Sequence, residues 1–477
     1  MRTHLIVLFL AISAIGHSQT EWSLDSCIRY AYEHNISLQR SELSIENAEI
    51  NRQAAVGGML PNLNGQASHG YNWGQRIDPF TNQFASQRIQ SNSFGLSTSI
   101  NLFNGFQQSL TVKQSALEIE RSKWNYEKLR NDIGLNVASG YLQILLTKEF
   151  WEIAKTNRDR TALQAERIAQ LVKAGSLAQV NLDQIYAQLA SDEATEVSAG
   201  NNYFMAKLAL MQFLQLPATG IEGFEIVSPN VEGMEQGEII SNSQVVVEAA
   251  TNNFPEIKSA EVGLKSAEMG QAIARGGMYP RLSASYSYGS GYSGASKIIT
   301  GSPDSLAYPI GTVFGSNFLV VSLPQAVYSD DDFSVKPFND QLRDNVNRSL
   351  FFSLTVPIFN GFQTSSSIKR ANIAALDAKL ALDQAKQTLE QNVLRAYTDA
   401  QASLANYQAA KKSLEASQLA FDGIEQRYNR GAANQVEYND ARATLDNARA
   451  GLVRNKYEYV FRLKILDFYL GKPINLK

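Results

Sequence analysis

The sequence contains one unit twice, and this duplication restricts the possible folds more than any other feature. The segment Leu102–Gln107 reads Leu-Phe-Asn-Gly-Phe-Gln and returns as Ile-Phe-Asn-Gly-Phe-Gln at Ile358–Gln363, an offset of 256 positions (359 − 103 = 256). The same offset relates Tyr141 to Tyr397 far downstream. A repeat of this length predicts two copies of one structural unit rather than several unrelated domains.

A second marker shows that the second copy is the longer one. The pattern Gly-Gly-Met-x-Pro occurs at Gly57–Pro61 and again at Gly276–Pro280, an offset of 219 positions (280 − 61 = 219). The second copy therefore carries 37 additional residues (256 − 219 = 37) between Pro280 and Phe359. We expect this insertion to be an exposed loop, which is acidic at Asp330–Asp332.

The N-terminus and the composition indicate an exported protein. Residues 1–19 have a short polar start, an apolar stretch over Leu5–Ile15 and small residues before the expected cleavage site, which is typical of a signal peptide. No later segment has the roughly 20 apolar residues of a transmembrane helix. The net charge of −3 gives no reason to expect nucleic acid as a partner. The one cysteine, Cys27, excludes an intrachain disulfide framework, and we expect a buried thiol rather than a lipid anchor.

Each copy is predicted to begin with a helix and two strands. The first opening helix is expected from Leu24 to Val56, where Gly57, Gly58 and Pro61 stop it. Alternation of apolar and polar residues with period two predicts four strands. They are expected at about 62–73, 92–103, 281–290 and 348–359. One face of each strand carries small polar side chains, and the other carries aliphatic and aromatic ones.

After each Asn-Gly-Phe-Gln turn, the pattern changes to that of a very long helix. Between Gln363 and Asn429 there is no proline and a single glycine, Gly423. Apolar and small residues alternate there at steps of four and three, which is typical of a coiled-coil seam. The seam residues include Leu389, Val393, Ala396, Ala400, Ser403 and Tyr407, and in the first copy Ile133, Gly140, Thr147, Ala154, Thr161 and Ile168. Two antiparallel helical hairpins are therefore predicted, at about 105–216 and 361–470.

These patterns give a division of the whole chain. The first repeat is expected at 20–217, a solvated acidic linker at 218–242, the second repeat at 243–472 and a short tail at 473–477. The linker prediction depends on its glutamates, because residues 218–238 contain five of them and no lysine or arginine.

Four strands of about ten residues have the length needed to cross an outer membrane as part of a tilted β-barrel. Four strands cannot close a barrel, and open strand edges in lipid would leave N–H and C=O groups without partners. One barrel shared among several chains would solve this, and three chains would supply twelve strands. In such a barrel the small polar faces would line a pore and the aromatic faces would contact lipid. The 37-residue insertion would then be a loop outside the cell, because the longer loops of membrane barrels face that way.

In its order of repeats, strand pairs and long hairpins, the chain resembles the TolC-like outer-membrane efflux proteins, also called outer membrane factors. The resemblance covers nearly all of the mature sequence. It implies an α+β membrane protein, a homotrimer with a twelve-stranded β-barrel in the outer membrane that continues as an α-helical barrel through the periplasm. It implies a passive exit duct for efflux or type I secretion, which docks to a periplasmic adaptor (a membrane fusion protein) and to an inner-membrane pump or ABC transporter.

The resemblance also implies an acidic ring at the periplasmic entrance of the duct. In the family's second repeat, two acidic residues three positions apart follow the valine of the hairpin tip, and Glu437 and Asp440 match them. Helix positions i and i+3 share a face, so three copies would present six carboxylates around the entrance. The first repeat departs from the pattern with Asn181 and Gln184. The alternative is that these acids only complement the helix dipole.

Further residues at the tips are implied in the same way. Gly175 with Val180 and Gly431 with Val436 match the family's tip pattern, and we expect them to form the surface that docks the adaptor. Arg427 could form a polar link that holds the entrance closed, whereas its alternative is a solvated arginine at a helix end.

No enzyme, cofactor or metal site is expected. Outside the signal sequence the histidines are His34 and His69, which stand alone and form neither a metal-ligand cluster nor a catalytic triad. Gly289–Gly294 matches the spacing of a dinucleotide fingerprint but opens no helix. The competing hypothesis for the whole chain is a non-conducting periplasmic coiled-coil scaffold or adaptor, which would gain nothing from strands with an aromatic lipid-type face.

Overall fold

The structure, a computed structural model, describes residues 22–78, 80–82, 84–85, 88–228, 242–313, 315 and 318–472. The expected signal peptide, the tail at 473–477 and the part of the expected linker at 229–241 lie outside the described residues. The chain forms two compact units. One comprises the residues up to Ile50, Ala116–Ala267 and those from Ala374 onward, and the other comprises Asn51–Ser115 and Glu268–Ile373.

Helices dominate the described residues. In chain order they are α1 (Leu24–His34), α2 (Ile36–Gly57), α3 (Gln107–Lys173), α4 (Gln179–Phe213), α5 (Ser243–Asn253), α6 (Pro255–Gly276), α7 (Phe338–Asp344), α8 (Gln363–Asn429) and α9 (Gln435–Tyr469). Short 3-10 helices lie at Ala218–Gly223 and Asp330–Asp332. None of the helices in the described part of the chain combines the length and the apolarity of a membrane-spanning segment.

The duplication is reproduced to the residue in the long helices. Helices α3 and α8 each have 67 residues, and α4 and α9 each have 35. Both pairs begin 256 positions apart (363 − 107 = 256; 435 − 179 = 256). At 1.5 Å per residue, α3 and α8 are each about 100 Å long. The prediction of a helix-rich chain with two equivalent hairpins is therefore confirmed.

Each copy has a core of its own, and the two cores use equivalent positions. The first core contains Cys27, Ala31, Leu38, Ile133, Val137, Tyr141 and Leu210. The second core contains Val246, Ala250, Ile257, Leu389, Val393, Tyr397 and Leu466. Every pair is related by 219 positions in the opening helices and by 256 positions in the hairpins. Cys27 is fully buried, as expected, and burial raises the pKa of its thiol to about 12.

The prediction of one continuous opening helix from Leu24 to Val56 is wrong. Asn35 has extended backbone angles and separates α1 from α2, and its side-chain Oδ1 accepts a hydrogen bond of 2.9 Å from the Ser37 amide. The cause is this local side-chain acceptor, which competes with the helical hydrogen bonds. The second copy breaks at the equivalent residue, Phe254, where Pro255 follows.

The expectation that the segment after the first hairpin is a solvated linker is also wrong for its described part. Ile221, Phe224 and Ile226 are buried and pack against the first core. Lys207 and Glu225 form an ion pair of 3.0 Å beside them. Burial of these three apolar side chains outweighs the acidic composition that suggested solvation.

The strands form one larger sheet and several short ribbons. The strands of the main sheet are β1 (Asn62–Asn72), β4 (Ile89–Asn104), β5 (Arg281–Ser293) and β12 (Asn347–Thr355). They pair in the order β1-β4-β5-β12, antiparallel throughout. The ribbons comprise β2 (Arg76–Ile77), β3 (Phe84–Ala85), β6 (Lys297–Ile299), β7 (Asp304–Leu306), β8 (Pro309–Thr312), β9 (Leu319–Val321), β10 (Gln325–Val327) and β11 (Phe333–Val335). The last main strand ends earlier than the predicted residue 359, because Pro357 has no N–H to donate.

The predicted seams are buried in part, and Gly140 and Tyr407 are partly exposed. In α8, Leu389, Val393, Ala396, Ala400 and Ser403 are buried, and in α3 Thr147, Ala154, Thr161 and Ile168 are buried. Small side chains at most of these positions allow the helices to approach closely.

Glycines end both long helices at the hairpin tips. Gly175 and Gly431 have φ angles of +77° and +73°. In the second tip the Gly431 amide donates to Tyr428 O and the Ala432 amide to Arg427 O, at 2.9 and 2.8 Å. This pair of bonds is a Schellman motif, which satisfies carbonyl groups that the helix end leaves free.

This geometry gives a prediction of opposite sign for two glycines of the same segment. Gly431→Ala should destabilise the tip by about 1–2 kcal/mol, because an alanine is strained at positive φ. Gly423→Ala should stabilise α8 by about 0.5–1 kcal/mol, because Gly423 lies inside the helix and a methyl group there meets no neighbour. Hydrogen exchange of the tip amides should therefore become faster in the first variant and slower in the second. Equal changes in the two variants would contradict the left-handed cap.

Candidate functional site

The two hairpin tips present equivalent valines to the surface. Val180 and Val436 are the second residues of α4 and α9, and their exposed fractions are 57% and 60%. A Cβ at Gly175 or Gly431 would meet no atom within 4 Å, so these two glycines are required by backbone conformation rather than by space. The tips therefore carry exposed apolar side chains on a turn of fixed shape.

The first turn of α9 uses Glu437 for local contacts. Asn434 caps the helix by accepting a hydrogen bond of 2.9 Å from the Glu437 amide, and its own Nδ2 donates to Glu437 Oε1 at 3.1 Å. In α4 the equivalent cap residue is Ala178, which has no side-chain hydrogen bond. Glu437 thus stabilises the N-terminus of its helix, whatever further role it has.

Asp440 lies one turn further along α9 and is exposed. Within the described residues, no basic side chain lies within ion-pair distance of its carboxylate. The two predicted ring residues therefore differ in environment. The Glu437 carboxylate accepts a hydrogen bond from Asn434, whereas the Asp440 carboxylate is exposed to solvent.

Arg427 makes its contacts within its own tip. Its Nη2 donates to Ala432 O at 3.1 Å and lies 3.5 Å from Glu437 Oε2. Both side chains of this ion pair are about half exposed, so the pair contributes little stability by itself. The structure thus brings Arg427 and Glu437 together. The sequence analysis considered a polar link that closes the entrance or a solvated arginine, and the contact seen here is a third possibility, a link between the two helices of one hairpin.

A groove between the two hairpins contains polar residues that the sequence reasoning missed. Arg442 of α9 donates from Nη2 to Asn157 O of α3 at 2.8 Å, and the same nitrogen lies 3.8 Å from Asp192 of α4. Asp192 also accepts hydrogen bonds from Thr161 and Gln188. One guanidinium group therefore joins the second hairpin to both helices of the first.

The same groove holds a carboxylate in a partly desolvated position. Asp446 lies 3.6 Å from Arg442 and 3.8 Å from Arg449. Burial raises the pKa of Asp446, although the two arginines act in the opposite direction. The spacing of Arg442 and Asp446 on either side of buried Leu445 was a signal in the sequence that these charges lie on the seam side of α9.

The main sheet has two chemically different faces, as the alternation predicted. One face carries cross-strand pairs of small polar groups, such as Ser287 and Ser349, whose hydroxyl oxygens are 2.6 Å apart. The other face carries exposed aliphatic and aromatic side chains, including Leu63, Leu350, Phe352 and Leu354. Phe351 departs from the pattern, since it lies on the small polar face and is exposed.

Equivalent positions of the two copies differ sharply in burial. Val262 of α6 is 4% exposed, whereas Leu43, its equivalent in α2, is 62% exposed. Leu380 of α8 is 59% exposed, whereas Trp124, its equivalent in α3, is partly buried. The position in the opening helix is therefore buried only in the second repeat. The position in the long helix is partly buried in the first repeat and exposed in the second.

Comparison with known proteins agrees with this architecture. The family model described as outer membrane efflux protein matches residues 27–214 and 246–472. The chain is 23% identical over 466 residues to the outer membrane protein TolC of Escherichia coli, covering 98% of this chain and 85% of that protein. It is also 23% identical over 448 residues to the pyoverdine export outer membrane protein OpmQ of Pseudomonas aeruginosa, covering 90% of this chain and 81% of that protein.

The fold has relatives among solved structures. The outer membrane protein VceC from Vibrio cholerae has a TM-score of 0.72 to this chain at 15% identity, and the match covers 94% of this chain and 96% of that one. Because the family model matches both copies of the repeat and most of the chain, the chain belongs to the outer membrane efflux protein family and is an outer-membrane efflux channel.

Proposed function

We propose that three copies of this chain form a duct that conducts substrates passively across the outer membrane. In this proposal a periplasmic adaptor docks at the hairpin tips and an inner-membrane pump or ABC transporter supplies the energy. The difference in burial between equivalent positions is the observation that carries it. Helices α6 and α3 cover each other between the two repeats. The equivalent apolar surfaces of α2 and α8 are exposed, and neighbouring chains would cover them.

The helical contact between the repeats indicates how the next copy would pack. Ser259 and Ser266 of α6 donate hydrogen bonds of 2.6 Å to Asn125 and Glu118 of α3. At the equivalent positions, shifted by 219 and 256 residues, Arg40 and Asn47 of one chain would lie against Ala381 and Ala374 of the next chain, without these hydrogen bonds. Those four residues are exposed in the single chain. The exposed Leu43 and Leu380 lie beside them on the same two helices.

The sheet supports the same arrangement. Strand β4 of the first repeat pairs with β5 of the second, with Ser97 opposite Ser287. The equivalent pair between copies is Ser353 of β12 with Ser68 of β1 in the next copy. In the described residues β1 and β12 each have one neighbour, so each has one open edge. Pairing these edges would satisfy backbone groups that have no partner in lipid, and three copies would close a barrel of twelve strands.

The chemistry of the two sheet faces fits this role. Hydroxyl and amide groups would line the interior of the barrel and tolerate a wide range of polar substrates, whereas the aliphatic and aromatic face would contact lipid. Below the membrane the bundled hairpins would form the tunnel, with Val180 and Val436 at the adaptor-docking tips and Asp440 and Glu437 near the entrance.

A cross-linking experiment tests the arrangement of copies. In the pair Ser68→Cys with Ser353→Cys, the two cysteines should be joined between copies by a short bis-thiol linker, because directly opposed Cβ atoms in a sheet are about 4.5–5.5 Å apart. Covalent trimers should appear on a denaturing gel. The control pair His69→Cys with Ser353→Cys places its cysteines on opposite faces and should remain uncoupled. Equal cross-linking of both pairs, or of neither, would reject this register.

A second experiment separates the duct from the non-conducting scaffold. Purified in detergent, the wild-type protein should migrate as a trimer that dissociates on heating and should produce single-channel currents in a planar bilayer. Leu43→Glu should weaken the trimer, because it places a charge on the apolar surface that the next copy covers. A monomer without detergent and without current would favour the scaffold.

A third experiment tests the acidic entrance. Asp440→Asn should reduce cation selectivity more than Glu437→Gln does, because the charge of Glu437 is already opposed by Arg427 at 3.5 Å. Reversal potentials in a salt gradient measure this selectivity. Asp183→Asn, at the tip of the other hairpin, is the matched control and should leave selectivity unchanged. Identical reversal potentials in Asp440→Asn and wild type would exclude the ring.

A further inference from the structure

A buried carboxylate organises the loop that follows β1. Asp78 accepts hydrogen bonds at Oδ1 from the amides of Phe80 and Thr81, at 3.0 and 2.9 Å, and from the Thr81 hydroxyl at 3.2 Å. Burial of this carboxyl acts to raise its pKa, but these bonds and one from Ser293 hold the pKa below its usual value. The Asp78 side chain therefore holds the backbone of Phe80 and of Thr81 in place.

The same carboxylate anchors the loop to the main sheet. Its Oδ2 accepts a hydrogen bond from the hydroxyl of Ser293, a buried residue at the end of β5. Gln341 of the insertion holds the Ser293 backbone on the other side, accepting from its amide at 2.9 Å and donating to its carbonyl at 3.0 Å. The loop of the first copy and the insertion of the second copy thus meet at one strand end.

The anchored loop places an aromatic ring on the small polar face of the sheet. Gly291 follows Ser287 and Gly289 in the alternation along β5, so its missing side chain would point to that face. A Cβ added at Gly291 would overlap the ring of Phe80. The ring therefore occupies the space that a side chain at Gly291 would need. On the opposite face, Phe338 of α7 packs against Phe94 and Tyr292, with distances between ring centroids of 6.2 and 5.4 Å.

We propose that Phe80 is a selectivity-determining residue that narrows the outer end of the duct. The proposal rests on the proposed function, because it requires the small polar face to be the interior of a closed barrel. Three copies would place three phenyl rings at the loop end of this face, above a lumen lined by serine, glycine and asparagine. Apolar rings at a constriction disfavour hydrated solutes more strongly than a polar wall of the same width.

Access from the outside to a cysteine in the lumen measures this constriction independently of the periplasmic entrance. The reporter is Ser97→Cys, which lies on the small polar face further from the loop end. The native Cys27 is buried and gives little background. In cells, a bulky membrane-impermeant maleimide should label the reporter severalfold faster when Phe80→Ala is added. Phe84→Ala, in the same loop with 83% exposure, is the matched control and should leave the rate unchanged.

A second variant tests the cause of the ring's position. Asp78→Asn retains the size of the side chain but turns one acceptor oxygen into a donor group. It should raise the labelling rate as Phe80→Ala does, and the double variant should add nothing further. Trimer migration on a gel verifies that each variant assembles.

The outcomes distinguish this proposal from the function on which it rests. If a small thiol reagent labels Ser97→Cys from outside and the bulky reagent is equally fast with and without Phe80, the duct stands and the constriction is rejected. If even the small reagent fails at Ser97→Cys in every variant, the polar face is not an open lumen, and the proposed function itself is rejected. Labelling that rises equally in Phe84→Ala would also overturn the role of Phe80.

Discussion

The pairing of β4 with β5 is the interaction on which the rest of the structure depends. It joins the second main strand of the first repeat to the first main strand of the second repeat, so that the strands of both repeats form one sheet. The same pairing leaves the first and last strands of the sheet with open edges. The open edge of β1 is equivalent to the edge of β5 that pairs with β4, and the open edge of β12 is equivalent to the edge of β4 that pairs with β5. In the proposed trimer, closure of the sheet would repeat this strand pairing, with β12 of one chain beside β1 of the next.

The long helices follow the same logic with different chemistry. Their seams contain alanine, serine, threonine and glycine beside a few larger residues, which allows the helices to pack closely where the seams are buried. Close packing leaves little room for charges, yet Arg442, Asp192 and Asp446 lie in the groove between the hairpins. Desolvation offsets much of the attraction in partly buried ion pairs of this kind, so their net contribution to stability is small. Arg442 contacts both helices of the first hairpin, so it specifies how the second hairpin lies against them.

Much of the fold could be predicted because periodicity is a property of the sequence itself. The long helices, the faces of the strands and the duplication followed from spacing alone, and the family resemblance added the tip glycines. The break at Asn35 could not be predicted from its own surroundings, since no proline or glycine marks it. The sequence nevertheless held the signal in the other copy, where Pro255 occupies the position equivalent to Ile36. The packing of Ile221, Phe224 and Ile226 was missed for a different reason, because an acidic segment with scattered apolar residues has no period to detect.

The candidate sites were harder to predict than the fold, because a site depends on which side chains meet. The sequence placed Glu437 and Asp440 on one helical face as equals, but the cap residue Asn434 and the opposing Arg427 make them different. No spacing rule joins Asp78 to Ser293, which are 215 positions apart and meet at one strand end. Such contacts form where loops of the two repeats meet. In these loops the sequences of the two repeats differ, so one repeat gives no guide to the other. The two repeats carry different loops at this end of the sheet, whereas their hairpin tips share a glycine and a valine and differ at the acidic positions.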